Sequence, residues 1–171
     1  MREEWTPTPG GMPTLREWPE SAEEHKLRPI ERAILVASLS DPEAGPRFAR
    51  QVEAAECASR HYTAYGAYIE LRVAETPSEP VGPCAMSMHS GWVAEAAATA
   101  PRNKTFDAGG GALVAWRRTP ARLLGTVVFA TNDRLATLEL YPIDGEGWSV
   151  ADCRELLAAN RSDVEIKTSG S

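Results

Sequence analysis

Four residues of metal-ligating type stand in two loose pairs, Cys57 with His61 and Cys84 with His89. Zinc holds thiolate sulfur and imidazole nitrogen at about 2.0–2.3 Å, and short links between paired ligands reduce the entropy of assembling a site. Three and four intervening residues make these pairs looser than most structural zinc sites. Cys57 also falls on the apolar side of an expected helix with His61 past its end. The four are therefore weak metal candidates, and no cofactor is expected. Nucleophilic catalysis would need Cys84 or Ser90 beside His89, with a third group orienting the base. No Gly-x-Ser-x-Gly elbow accompanies them. Gly109-Gly110-Gly111 lacks the Lys-Ser/Thr of a phosphate loop and reads as a tight turn.

Two further sets point to binding rather than bond-making. Tyr62, Tyr65 and Tyr68 would stack bases if they shared an exposed sheet face, with Arg60, Arg117, Arg118 and Arg122 as the nearby cations. Tyr65 and Tyr68 have opposite parity on a strand, which splits the set. Glu139, Asp144 and Glu146 cluster near Trp148. A hydrolytic carboxylate pair needs one member desolvated to raise its pKa, and a Gly-rich turn rarely provides that. An acidic, solvated interaction rim fits these residues better.

The bulk numbers agree with that direction. The chain has 171 residues and a net charge of −6, an acidic balance that disfavours phosphate neutralisation. The length suits one core that needs neither metal nor disulfide. Three cysteines are too few, and odd in number, for a secreted disulfide scaffold. Neither a signal peptide nor a membrane-spanning apolar run is visible, so a cytoplasmic location without membrane contact is expected.

Positioning elements follow from the periodicity. Residues 1–26 form an acidic arm in which Pro7, Pro9, Pro13 and Pro19 and the Gly10-Gly11 pair argue against regular structure. Trp5 and Trp18 in that arm suggest docking, onto this chain's own sheet edge or onto a partner. Residues 27–167 read as one α+β domain, and 168–171 as a polar tail. A helix opens at Pro29, with Ile30, Ala33, Ile34 and Ala37 at helical spacing; a second runs from Pro46 through Phe48, Val52, Ala55 and Cys57. From Arg60 the period becomes two, and Tyr65, Ala67, Ile69, Leu71 and Val73 alternate with Tyr68, Glu70 and Arg72 along one strand. Residues 76–90 read as a loop, 91–98 as either a strand or a helix, 100–111 as a polar, Gly-rich connection, and 111–117 as a strand. Leu123–Ala130 and Leu135–Tyr141 flank Asn132-Asp133 as a β-hairpin. Ser149 caps a last helix with Val150, Cys153, Leu156 and Leu157 inward, and 163–167 adds an edge strand. The expected fold is an N-terminal helical hairpin on a mostly antiparallel sheet of about four to five strands, with a C-terminal helix.

Two stretches carry a resemblance. Arg60-His61-Tyr62-Thr63-Ala64-Tyr65-Gly66-Ala67-Tyr68 is similar to an Arg-x-aromatic-Thr-x-x-Gly-x-aromatic strand, and Asn132-Asp133-Arg134-Leu135-Ala136-Thr137-Leu138-Glu139-Leu140-Tyr141 to an Asp-Gly-x-Leu-x-x-Leu-Glu-x-Tyr hairpin followed by Trp148. Both resemble motifs of a family of small uncharacterised bacterial α+β proteins, over about residues 27–148. The chain departs from it in Arg134, where the family tends to have Gly, and in its long 76–110 segment. The resemblance implies a fold and a bacterial origin, and no activity.

The function expected from all this is a non-catalytic protein-interaction module, an immunity-like or accessory subunit that binds another protein through Trp5, Trp18, Glu139, Asp144, Glu146 and Trp148. The alternatives are a small enzyme or ligand-binding domain built on the Cys84–Trp92 loop with His89 as acid/base, or a nucleic-acid binder through Arg117, Arg118 and Arg122.

Overall fold

A computed structural model describes residues 1–7, 13–39, 45–74, 105–116, 122–131, 134–143 and 148–168. Its centre is one sheet of eight strands: β1 (Arg2–Pro7), β2 (Pro13–Trp18), β3 (Ala55–Thr63), β4 (Gly66–Val73), β5 (Thr105–Trp116), β6 (Arg122–Thr131), β7 (Arg134–Pro142) and β8 (Val164–Lys167). The order is β1-β2-β3-β4-β7-β6-β5-β8, and every neighbouring pair is antiparallel. Helices α1 (Ala22–His25), α2 (Pro29–Ser38), α3 (Gly45–Ala54) and α4 (Val150–Ala158) accompany it.

This overturns the expectation of four to five strands under an N-terminal helical hairpin. The chain opens instead with a strand hairpin, because β1 and β2 pair from Arg2↔Trp18 to Pro7↔Pro13. The prolines do not prevent this: Pro7 and Pro13 sit at strand ends, where a missing N–H costs least. The second helix stops at Ala54, so Ala55 and Cys57 belong to β3. The alternating run from Arg60 is two strands, folded back at Ala64-Tyr65. Gly66 makes that turn possible. Its φ is +128°, and a Cβ there would lie 1.9 Å from the Leu140 carbonyl oxygen.

Period-two alternation sorts the strands into two faces. Leu15, Tyr62, Ala67, Ile69, Leu138, Leu140, Val128, Leu124 and Val114 are buried on one face, in a single core with Ile30, Ile34 and Leu35 of α2, Phe48 and Val52 of α3, and Val150, Cys153, Leu156 and Leu157 of α4. Ser149 caps α4 reciprocally with Asp152, and Glu31 receives the Arg28 N–H at the start of α2.

The same face holds an unusual set of charges. Arg60 of β3 is 2% exposed and donates through Nε and Nη2 to the two oxygens of Glu31, itself 0% exposed, at 2.5 and 2.9 Å. Directly across the sheet from Arg60 stands Glu17 of β2, 1% exposed. Glu17 accepts from the Tyr62 hydroxyl at 2.9 Å, from Arg28 at 3.2 Å and from Arg154 Nε at 2.8 Å; Arg154 also binds Glu3 of β1. Glu3, Glu17 and Glu31 thus balance Arg28, Arg60 and Arg154, and the cluster spans β1, β2, β3, α2 and α4. Burial works against the Arg60 charge, yet the Glu31 carboxylate raises its pKa above the ordinary arginine value.

A buried pair of this kind adds little net attraction but is costly to break, since removing one member strands the other. Arg60→Met is expected to lower the unfolding free energy by about 3–5 kcal/mol in urea titrations, on the order seen for broken buried pairs. Adding Glu31→Leu to it is expected to recover much of that loss, because no charge is then stranded; failure of the double variant to recover any stability contradicts the pairing.

Candidate functional site

The second face of the sheet is built from the alternate residues of the same strands. One row is fixed by direct cross-strand pairing: Glu4 opposite Arg16, Arg16 opposite His61, His61 opposite Tyr68, Tyr68 opposite Glu139, and Glu139 opposite Val127. Such partners lie close enough for their side chains to touch. The His61 and Tyr68 rings are 6.1 Å apart at 42°. Tyr68 faces Glu139 directly across the strands, and its phenol favours the ionised carboxylate. Beside this row, Arg16 Nη2 binds both oxygens of Glu70 at 2.9 Å, and Ser59 Oγ donates to Glu70 at 2.6 Å. Arg2 and Arg16 lie 4.4 and 5.1 Å from the half-buried Trp18 ring.

The electrostatics of the row follow from partial burial. Desolvation raises the Glu139 pKa above the ordinary 4.5, and the Tyr68 hydrogen bond only partly opposes it. Burial also raises the Tyr68 pKa, with Glu139 adding to the effect. His61 is lowered, first by burial and then by the Arg16 charge, so its imidazole is neutral at pH 7. The row therefore presents a reluctant carboxylate, a phenol and a neutral imidazole side by side, a grouping suited to receiving hydrogen bonds and charge from a ligand.

The residues singled out from sequence scatter. Glu139 sits on this second face, away from Leu138 and Leu140. Trp18 shares the face at its β2 edge. Trp5 pairs across from Leu15 and lies on the helix side of the outermost strand, 56% exposed. Trp148 is the departure: it is buried, stacked on Trp116 at 6.3 Å with Arg122 5.4 Å from its ring, and offers no exposed anchor. Asp144 and Glu146 lie outside the described residues. Cys57 faces the helical core, opposite Leu71, whereas His61 projects from the other face. On a regular strand residues four apart share a face; the β-bulge between Cys57 and Ser59 shifts the alternation and separates this pair. Burial pushes the Cys57 and Cys153 thiols up to about 12, so neither is a ready thiolate. Among the described residues no group of three or more ligating side chains converges on a point. Cys84, His89, Ser90, Trp92, Arg117 and Arg118 lie outside the described residues.

Of the three tyrosines, Tyr62 is buried on Glu17, Tyr65 is exposed in the β3–β4 turn, and only Tyr68 reaches the second face. Arg60 is likewise core, not part of a basic patch. The Arg16–His61–Tyr68–Glu139 row has no signal in the sequence, because it exists only once β2 is a strand and β3 folds back on β4. Comparison with family models, curated proteins and solved structures finds no match.

A raised carboxylate pKa in the folded state means that ionisation there costs stability. The Glu139 contribution is therefore present below the ordinary 4.5 and is lost as pH climbs through the raised value. Glu139→Gln is expected to match wild type in acid and to become the more stable of the two as pH rises toward neutral. Urea midpoints across pH, with carboxyl-carbon NMR titration of Glu139, check this; a Glu139 midpoint at or below 4.5 contradicts it.

Proposed function

We propose that this chain is a protein-interaction module, an accessory or immunity-like subunit working in a bacterial cytoplasm, and that it engages its partner along the outer edge of β1. The observation that carries this reading is Trp5. A tryptophan exposed over 56% of its surface stands on a six-residue strand whose residues are all exposed. That strand pairs with β2 from Arg2 to Pro7, and Glu3 binds Arg154 of α4, which binds the buried Glu17. Edge strands offer unpaired backbone groups to an incoming strand, and a preorganised aromatic beside them makes an anchor. No helix among the described residues is long and apolar enough to cross a membrane.

A photo-crosslinking residue at position 6 of the full chain, exposed beside Trp5 on β1 and expressed in the source cells, is expected to give one discrete protein adduct. Excess wild-type protein should compete it away, while Trp5→Ala competes about thirtyfold less well, the scale of an interface hot spot. A crosslinker at Val36, equally exposed on α2, serves as control. No adduct at position 6, or the same adducts from position 36, overturns the reading.

A further inference from the structure

We propose that Glu139 and Tyr68 form a subsite for the cationic side chain, lysine or arginine, of a basic protein segment lying across the second face of the sheet. The first support is an imbalance of charge. Arginines meet the buried carboxylates and several exposed ones in and against the sheet: Arg60 on Glu31 of α2, Arg28 and Arg154 on Glu17, Arg16 on Glu70, Arg72 on Glu56. Glu139 is half-buried on a central strand, and among the described residues no basic side chain pairs with it. Its Tyr68 hydrogen bond leaves most of its acceptor capacity unused. A half-buried carboxylate without a cation costs folding stability, and such a cost persists where an incoming group relieves it.

The second support is the shape of the chemistry around that carboxylate. The neighbouring Tyr68 and His61 rings are 6.1 Å apart. An aromatic face attracts a cation beside its carboxylate counter-charge. Val127, directly opposite Glu139, provides an apolar bed for the methylene stem that lysine and arginine carry. Glu4 stands on the same face beyond Arg16, and the chain's net charge of −6 favours encounter with a basic segment. Arg16, the one cation on the row, is already engaged by Glu70.

The inference is independent of the β1 edge. Octalysine titrated into the full chain by calorimetry is expected to bind. Glu139→Gln should weaken it about fivefold, the effect of losing one partly desolvated ion pair. Glu53→Gln, which alters a carboxylate 82% exposed on α3, should leave it within about twofold. Amide NMR shifts on titration should centre on Tyr68, Glu139 and Val127, and octaglutamate should shift none of them. Trp5→Ala should bind octalysine as wild type does, which separates this site from the edge. Equal affinity of the wild type and Glu139→Gln overturns the proposal, whether the peptide binds elsewhere or a basic residue of this chain already occupies Glu139.

Discussion

The buried charges between β2, β3 and α2 hold the architecture together. Glu31 and Arg60 are shielded from water almost completely, and Glu17 stands beside them in register. In such a place an ion depends on its partners: Arg60 meets Glu31 through Nε and Nη2, and only its Nη1 is left without one. The partners come from separate parts of the chain: Glu3 and Glu17 from the first hairpin, Arg28 and Glu31 from the start of α2, Arg60 and Tyr62 from β3, Arg154 from α4. The cluster can form only when the N-terminal hairpin, the first long helix, the sheet centre and the C-terminal helix are all in place. Its value lies less in attraction than in the cost of leaving it incomplete.

A division of labour between the two sheet faces follows. One face carries the apolar side chains and this cluster, and the helices cover it. The other carries Arg16, His61, Tyr68 and Glu139 as a straight row, because each is the immediate cross-strand neighbour of the next. Partial burial gives that row its chemistry: it raises the carboxylate, raises the phenol and lowers the imidazole. The same register that locks Glu17 to Arg60 on the covered side aligns Arg16 with His61 on the other, one residue along. A slip by one residue would move Glu17 out to solvent and Arg16 into the core.

Local signals were legible in the sequence wherever one residue type decides the structure. Pro29 opens α2, Ser149 with Asp152 caps α4, and the Leu123–Tyr141 region forms a hairpin. What sequence could not show was long-range pairing. Trp5 and Trp18 stand out in the sequence, but the pairing of β1 with β2 and of β2 with β3 is long-range and hidden behind a Pro-rich composition. The Arg60–Tyr68 stretch drew attention as a motif, yet its residues divide among different tasks: Arg60 and Tyr62 serve the buried cluster, Thr63 and Gly66 the turn, Tyr68 the second face. Trp148 looked like a surface anchor beside an acidic turn; its burial on Trp116 depends on β5, far away in sequence. For the candidate site, Glu139 was visible as an outward residue of a strand, while its neighbours His61 and Arg16 required the sheet order.

Native-state hydrogen exchange tests the central claim most directly, because it reads the opening free energy of each strand separately. If the buried cluster welds the first hairpin to the body, the amides joining β2 to β3 around Glu17 open together with the β3–β4 amides around Arg60, within about 1 kcal/mol of each other. Exchange of the β2 amides through a low-energy local opening, with β3 and β4 still fully protected, would contradict the account.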